Sequence, residues 1–365
     1  MKHPNHRNQA MGLRRIKLQK IPTVDIDLEA PAAERWHEAA DCIAEDAYGA
    51  FERIDAFADE RIETYVPTKL RWLVEPLLGG AAYSVRMATR YFGLEYAEEL
   101  RGFARALDLP YSRVLAANLI YDLVVATEES APGACSSFSC PSPDGSILLG
   151  RNLDWNFPEG IGDHTVLMRF HRRKEHYLAI GVAGYLGVLT AMRPGHWAIS
   201  LNQAPRARRR FNWQGVPVGQ QLRWACDHSR AYQTLVRNVT RYQTLQPYFA
   251  HIVGTQLRQQ VVVESFGDNY NLRKPEDDVL VQTNHYVTPD FQNLNRNEWT
   301  DTEGVEWVTD SEPRYNALEK RLTKKRPANA AECLKFLQNP VANEDTCQSM
   351  GLHPFDRDLV MRCSR

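Results

Sequence analysis

The sequence predicts an α+β fold with layered, mostly antiparallel sheets, and three observations carry that expectation. Residues 29 to about 127 follow a helical period. A turn-rich break then gives way to short β-rich runs bounded by Gly, Pro, Asp or Asn. Helical stretches return among and after those runs, giving strands, helices and strands again.

The elements follow in order. The first twenty residues, MKHPNHRNQAMGLRRIKLQK, hold Lys2, Arg7, Arg14, Arg15, Lys17 and Lys20 and no acid. They lack the apolar core of a secretory signal, so residues 1–20 read as a basic, flexible tail. A weak contact with anionic lipid headgroups is the alternative, and Met11 is a second candidate start. Residues 21–134 read as a helical segment. Trp36, Ala39, Ala40, Ile43, Tyr48, Phe51, Ile54, Phe57 and Ile62 recur at helical spacing, and Pro67, Gly79 and Gly80 interrupt the pattern. EYAEELRGFARALDL puts Leu100, Phe103, Ala104 and Leu107 on one face and stops at Pro110. YSRVLAANLIYDLVVA is apolar nearly all round and so reads as a buried helix. TEESAPGA, with Pro132 and Gly133, reads as a linker. Residues 135–365 then carry the strands: SILLG, TVLMRFH, YLAIGVAG, GVLTAM, WAISLN, QVVVES and VLVQTN. Their helices are GQQLRWACDHSRAYQTLVRNVTRY, EPRYNALEKRLTKK and NAAECLKFLQN.

Bulk properties exclude several classes. The 365 residues, 43% hydrophobic and 24% charged, make a globular chain with a substantial core. A net charge of -1 gives no footprint for nucleic acid, and no apolar run is long enough to span a bilayer. The seven cysteines are odd in number and irregularly spaced, which favours free thiols in a reducing, cytoplasmic setting. Cys135 and Cys140 have no second pair at zinc-ligand spacing. GxxxxGK[ST], GxSxG and HExxH are absent, and neither a metal nor another cofactor is expected. The glycines of GVAGYLG lie between β-rich runs and suit a hairpin, while His171 and His176 suit an exposed strand end.

One block carries chemistry: PGACSSFSCPSPDGSILLGRNLDWNF. Cys135 follows Pro132, Gly133 and Ala134 and begins a strand. A turn at SPDG, residues 142–145, folds the block into a hairpin that returns Arg151 and Asp154 beside Cys135. An arginine close to a thiol lowers its pKa, and a carboxylate can hold an α-amino group by accepting its hydrogen bond.

CSSFSCPSPDGSILLGRNLDW resembles the start of the catalytic chain in the acid ceramidase and N-acylethanolamine-hydrolyzing acid amidase family. Bile-salt hydrolases and penicillin acylases of the choloylglycine type are its wider relatives. AGYLGVLTAMRPGHWAISLN and QTNH downstream, and IPTVDIDLEAPAAERWHE and NLIYDL upstream, resemble further family stretches in the same order. The likeness spans roughly residues 20 to 325, and the stretch after about 340 matches poorly.

The resemblance implies a four-layer αββα N-terminal-nucleophile hydrolase sandwich preceded by a helical segment. It implies self-cleavage between Ala134 and Cys135, with the two pieces staying together as a heterodimer. Cys135 is then the nucleophile, and its freed α-amine is the base. Arg151 and Asp154 match the family's GRN-x-D pair, Asn284 an oxyanion-hole residue, Asn202 a second polar position and Arg314 a late arginine. Gln203 stands where the lipid amidases carry Glu. Trp155 and Tyr185, with Phe157, Leu186 and Trp197 nearby, either line an acyl pocket or belong to the core. Arg206, Arg208, Arg209 and Arg210 suit a solvated loop, or a contact with a membrane surface or an anionic substrate. The implied substrate is a linear lipid amide, an N-acylethanolamine or a ceramide. The alternatives are hydrolysis of, or acyl transfer from, a bile-acid or β-lactam amide, and an inactive lipid-binding homologue.

Overall fold

The computed structural model describes residues 15–17, 21–65, 95–127, 134–155, 158–205, 212, 214–266, 269–295 and 310–363. The strands begin with β1 (Arg15–Lys17), β2 (Thr23–Asp27), β3 (Ala134–Pro141), β4 (Ile147–Asp154), β5 (Thr165–Arg172), β6 (Glu175–Val182) and β7 (Thr190–Arg193). They continue with β8 (Trp197–Gln203), β9 (Tyr248–Val253), β10 (Gln260–Phe266), β11 (Asn269–Arg273), β12 (Leu280–Gln282), β13 (Thr346–His353) and β14 (Asp358–Cys363). The helices are α1 (His37–Cys42), α2 (Ala44–Tyr65), α3 (Glu95–Ala106), α4 (Tyr111–Thr127), α5 (Val218–Asp227), α6 (Tyr232–Val239), α7 (Ser311–Lys324) and α8 (Ala330–Phe336).

The strands form two sheets, ordered β1-β14-β13-β4-β3-β12 and β11-β10-β9-β8-β7-β6-β5-β2. Neighbours run antiparallel, apart from β1 with β14 and β2 with β5. Strand alternation sorts the core into layers. In β4, Ile147 and Leu149 join Leu167, Ile180, Met192 and Met350 between the sheets. Leu148 of the same strand faces the other way, with Phe138, Leu318 and Phe336 under α7 and α8. Helices α1 to α6 cover the far side of the larger sheet, where Trp36, Phe51, Phe103 and Leu222 meet Phe170 and Tyr177. Each large apolar side chain buried this way contributes about 1.5–3 kcal/mol. The order helix, sheet, sheet, helix is the αββα sandwich that the sequence led us to expect.

The amino-terminal region differs from its expectation in two places. Residues 21–134 are not purely helical: Thr23–Asp27 adds a strand parallel to β5. Val24 and Ile26 are buried and alternate with the exposed Asp25 and Asp27, the period of a strand with one covered face. Within the stretch read as a free tail, Arg15–Lys17 pairs with β14, whose outer edge offers main-chain groups that need partners. The rest of 1–20, and the break up to Gly133, lie outside the described residues. Ala134 itself opens β3. Among the described residues no helix is long and apolar enough to cross a membrane.

Candidate active site

The hairpin of β3 and β4 builds the first part of the site. Its register sets Cys135 opposite Leu153, Ser137 opposite Arg151 and Ala134 opposite Asp154. The glycine of GRN-x-D has a packing reason: a Cβ on Gly150 would come within 2.3 Å of the Phe138 ring. Arg151 points between the sheets. One guanidinium nitrogen, Nη1, donates to Thr190 Oγ1. The other, Nη2, donates to the Leu201 carbonyl at 2.9 Å and reaches Cys135 Sγ at 3.8 Å. The Gln203 main-chain N–H also faces that sulfur. Arg151 and Arg314 do pull the thiol pKa down, but burial outweighs them and Asp154 adds to it, so the net shift is upward. Arg151 thus lowers the thiol pKa as expected, but not by enough to offset burial in the intact chain. Desolvation of the sulfur, only 3% exposed, is the reason.

Asn284 and Arg314 close around the same residue. Cys135 N–H donates to Asn284 Oδ1 at 2.9 Å. Arg314 Nη1 donates to the Cys135 carbonyl at 2.8 Å and to Ser136 Oγ at 2.7 Å, and its Nη2 donates to Asn284 Oδ1 at 2.9 Å. Arg314 is held in turn by Asp310, whose Oδ2 accepts from Nε at 3.0 Å. Asn284 Nδ2 donates to the Gln203 carbonyl at 2.9 Å, so in the intact chain the amide expected to serve the oxyanion is occupied. Asn202 acts beside this group: its Nδ2 donates to the carbonyls of Gln282 at 3.1 Å and Thr283 at 3.2 Å, the two residues before Asn284. Gln203 contributes its main chain, and its side-chain Nε2 is buried without a partner among the described residues.

Asp154 is fully buried. Oδ1 accepts from Thr346 Oγ1 at 2.6 Å, while Oδ2 lies 3.7 Å from Arg314 Nη1 and accepts no hydrogen bond. Burial raises its carboxyl to about 6 against the pull of Arg314, Thr346 and Arg151. Thr190, Ser136 and Thr346 escaped the sequence reading. Ser136 and Thr190 lie inside the motif stretches CSSFSC and AGYLGVLTAM but were given no role there, Thr346 lies outside every motif, and hydroxyls are too common for their type alone to signal a role.

Trp155 and Tyr185 line a narrow apolar cavity of about 20 Å³ with Phe51, Ile54, Ile120 and Ile161. The NLIYDL stretch of α4 shapes this corner. Asn118 donates to the Gly184 carbonyl at 2.8 Å and accepts from Leu186 N–H at 2.7 Å. Tyr121 meets the Trp155 ring edge to face at 5.6 Å, and Asp122 accepts from Val218 N–H at the start of α5. Trp197 belongs to the core instead, its ring tilted against Tyr177 and its indole N–H on the Ser229 carbonyl, and Leu186 is likewise a core residue. Phe157, Arg206, Arg208, Arg209 and Arg210 lie outside the described residues. Among the described residues, Asp144, His353 and Asp356 bring metal-capable atoms within 4.8 Å of one another, at the hairpin end away from Cys135. Cys42, Cys135, Cys140, Cys226, Cys333 and Cys347 are free thiols.

No family model matches the chain. It is similar to the Caenorhabditis elegans N-acylethanolamine-hydrolyzing acid amidase, 26% identical over 254 residues that cover 66% of each chain. It is similar to Homo sapiens acid ceramidase, 24% identical over 273 residues covering 67% of this chain and 63% of that one. The likeness thus spans slightly less than two thirds of these relatives' length. The solved structure of the C. elegans ortholog superposes with a TM-score of 0.50 at 22% identity, over 60% of this chain and 93% of that chain, and shares the fold.

Proposed function

We propose that this chain, a member of the acid ceramidase and N-acylethanolamine-hydrolyzing acid amidase family, is a cysteine amidase activated by its own cleavage, hydrolysing a linear lipid amide to a fatty acid and an amine. The observation that carries the reading is the convergence on one residue. Arg151 reaches the Cys135 sulfur, Asn284 takes its N–H, Arg314 takes its carbonyl, and Asp154 stands opposite Ala134 across the proposed cut.

In the intact chain the Cys135 sulfur attacks the Ala134 carbonyl. The peptide C–N bond breaks, the nitrogen takes up a proton, and water hydrolyses the resulting thioester. The product is a new amino terminus at Cys135. Its α-amine has an ordinary pKa of about 7.7–8.0, so it can take the thiol proton and return it near neutrality. Asn284 Oδ1 already accepts from that nitrogen, and Asp154 supplies a second acceptor beside it. The thiolate then attacks the substrate amide. The amine half leaves with a proton, and water releases the fatty acid from the thioester. Asn284 Nδ2 is the assigned oxyanion donor, and it exchanges the Gln203 carbonyl for the oxyanion. The acyl chain is assigned to the apolar corner at Trp155 and Tyr185, which must widen to take it, and whose walls from α2 and α4 require the two pieces to stay associated.

The test is to incubate purified chain from pH 4 to pH 8, sequence the fragments, and offer the products a panel of amides. Two fragments, the larger starting at Cys135, with fatty acid released from N-acylethanolamines or ceramides, are expected. A chain that stays whole at every pH overturns the reading, and cleavage followed by turnover of only bile-acid or β-lactam amides replaces the substrate class.

A further inference from the structure

We propose that Thr346, on the carboxy-terminal stretch that the family motifs do not reach, is a positioning residue that holds Asp154 in its charged form beside the scissile bond. The inference rests on the reading of Asp154 as an acceptor for the Cys135 amine. It begins with the direction of one proton. Asn343 N–H donates to Thr346 Oγ1 at 3.0 Å. Thr346 N–H returns to the Asn343 carbonyl at 3.2 Å, and Asn343 Oδ1 accepts from Asp345 N–H at 3.0 Å, which fixes the turn. With one lone pair of Oγ1 taken, the hydroxyl proton points outward. Asp154 Oδ1 lies at 2.6 Å, whereas Asn343 Oδ1, a competing acceptor, is at 3.4 Å. A hydroxyl donated to a carboxylate at this distance is a charge-assisted bond and favours the ionised acid.

The backbone supports the same purpose. β13 carries one extra residue between Thr346 and Gln348 where it pairs with β4. A bulge of this kind re-aims a side chain at a ladder's end. Here it lets Thr346 pair with Asp154 while Gln348 pairs with Leu153. With Oδ1 engaged by Thr346, Oδ2 is left toward Arg314.

Several groups face this carboxyl: Arg151 from its own strand, Cys135 from β3, Arg314 and Asp310 from α7 and its start, and Cys347 from β13. Thr346 and the two arginines favour the charge, while burial and Asp310 oppose it. The balance leaves the carboxyl near 6, where one hydrogen bond decides the protonation state across mildly acidic pH.

The experiment compares wild type, T346V and T346S. It follows the pH dependence of self-cleavage and, on pre-cleaved protein, of kcat for a fluorogenic N-acyl amide. T346V is expected to move the acid limb up by roughly one pH unit, with about a tenfold rate loss below the limb and a smaller one above it. T346S, which keeps the hydroxyl, restores the limb. If T346V does not fold, T346A against T346S gives the same comparison. An equal rate loss at every pH with the limb unmoved, or no loss at all, overturns the role of Thr346. A wild type inert at every pH overturns the amidase reading instead.

Discussion

Arg223 and Arg151 are both fully buried, yet one is held by carboxylates and the other by a hydroxyl, a carbonyl and a thiol. Arg223 Nε donates to Asp227 at 2.9 Å and its Nη2 to Glu99 at 3.4 Å. Glu99 also accepts from Arg35 and from the Trp36 indole, and Asp227 from the hydroxyls of Tyr177 and Tyr96. Burial works against the Arg223 charge, but Asp227 and Glu99 outweigh it and hold its pKa well above the ordinary value. Around Cys135, Arg151 and Arg314 donate to main-chain carbonyls, hydroxyls and an amide oxygen, and among the described residues the one carboxylate hydrogen-bonded to them is the exposed Asp310 on Arg314 Nε. The buried carboxylate nearest to them, Asp154, stays 3.7 Å from Arg314. A charge matched on all sides is a clamp. A charge matched only in part leaves positive potential for an anion that forms later, first a thiolate and then an oxyanion. The clamp also spans the proposed cut, since Arg35 and Glu99 precede it and Arg223 and Asp227 follow it.

The largest effect comes from removing the group that the partly matched arginines serve. Cys135→Ala should abolish both fragment formation and amide hydrolysis, checked by gel, amino-terminal sequencing and product assay. Breaking the clamp comes next. Glu99→Gln leaves Arg35 and Arg223 short of a buried partner and should cost about 3–5 kcal/mol, read by urea unfolding in the Cys135→Ala background. In cleaved wild type the same change should let the fragments separate on size-exclusion chromatography. Asn284→Ala should cost about 2.7–4 kcal/mol in kcat/KM, the range for a lost oxyanion donor.

Asp122 is the converse case, a fully buried carboxylate with no arginine among the described residues to match it. Its main restraint is the Val218 N–H at 3.2 Å, and burial raises its carboxyl to about 7. Because the folded value lies above the unfolded value of 3.8, its contribution to stability is complete below that pH and is lost as pH rises through about 7. Unfolding of the Cys135→Ala chain should therefore become easier from pH 4 to pH 8. Asp122→Asn should flatten that dependence by on the order of 1–2 kcal/mol. The half-exposed pair of Arg113 and Asp55, at 2.6 Å, marks the lower bound. Asp55→Asn should change stability by less than about 1 kcal/mol, because solvent screens the pair.

Much of the hairpin was legible in the chain. SPDG fixes a short turn, and two strands of matching length must then bring Arg151 near Ser137 and Asp154 near Ala134. Asn284 and Arg314 were legible only through family motifs, because no local period places a residue 149 or 179 positions away against Cys135. Thr346 was not legible at all, being a common residue type in a stretch without motifs.

By itself, then, the sequence determined the layers and the hairpin, because alternation, helical period and turn chemistry act between near neighbours. The tertiary structure alone decided the state of the site. It set the net upward shift of the Cys135 thiol, gave Asn284 Nδ2 to Gln203, brought Thr346 to Asp154, and inserted Thr23–Asp27 into the larger sheet. Each of these depends on how much water is excluded and on which distant strand arrives alongside, and both are fixed only when the whole chain has packed.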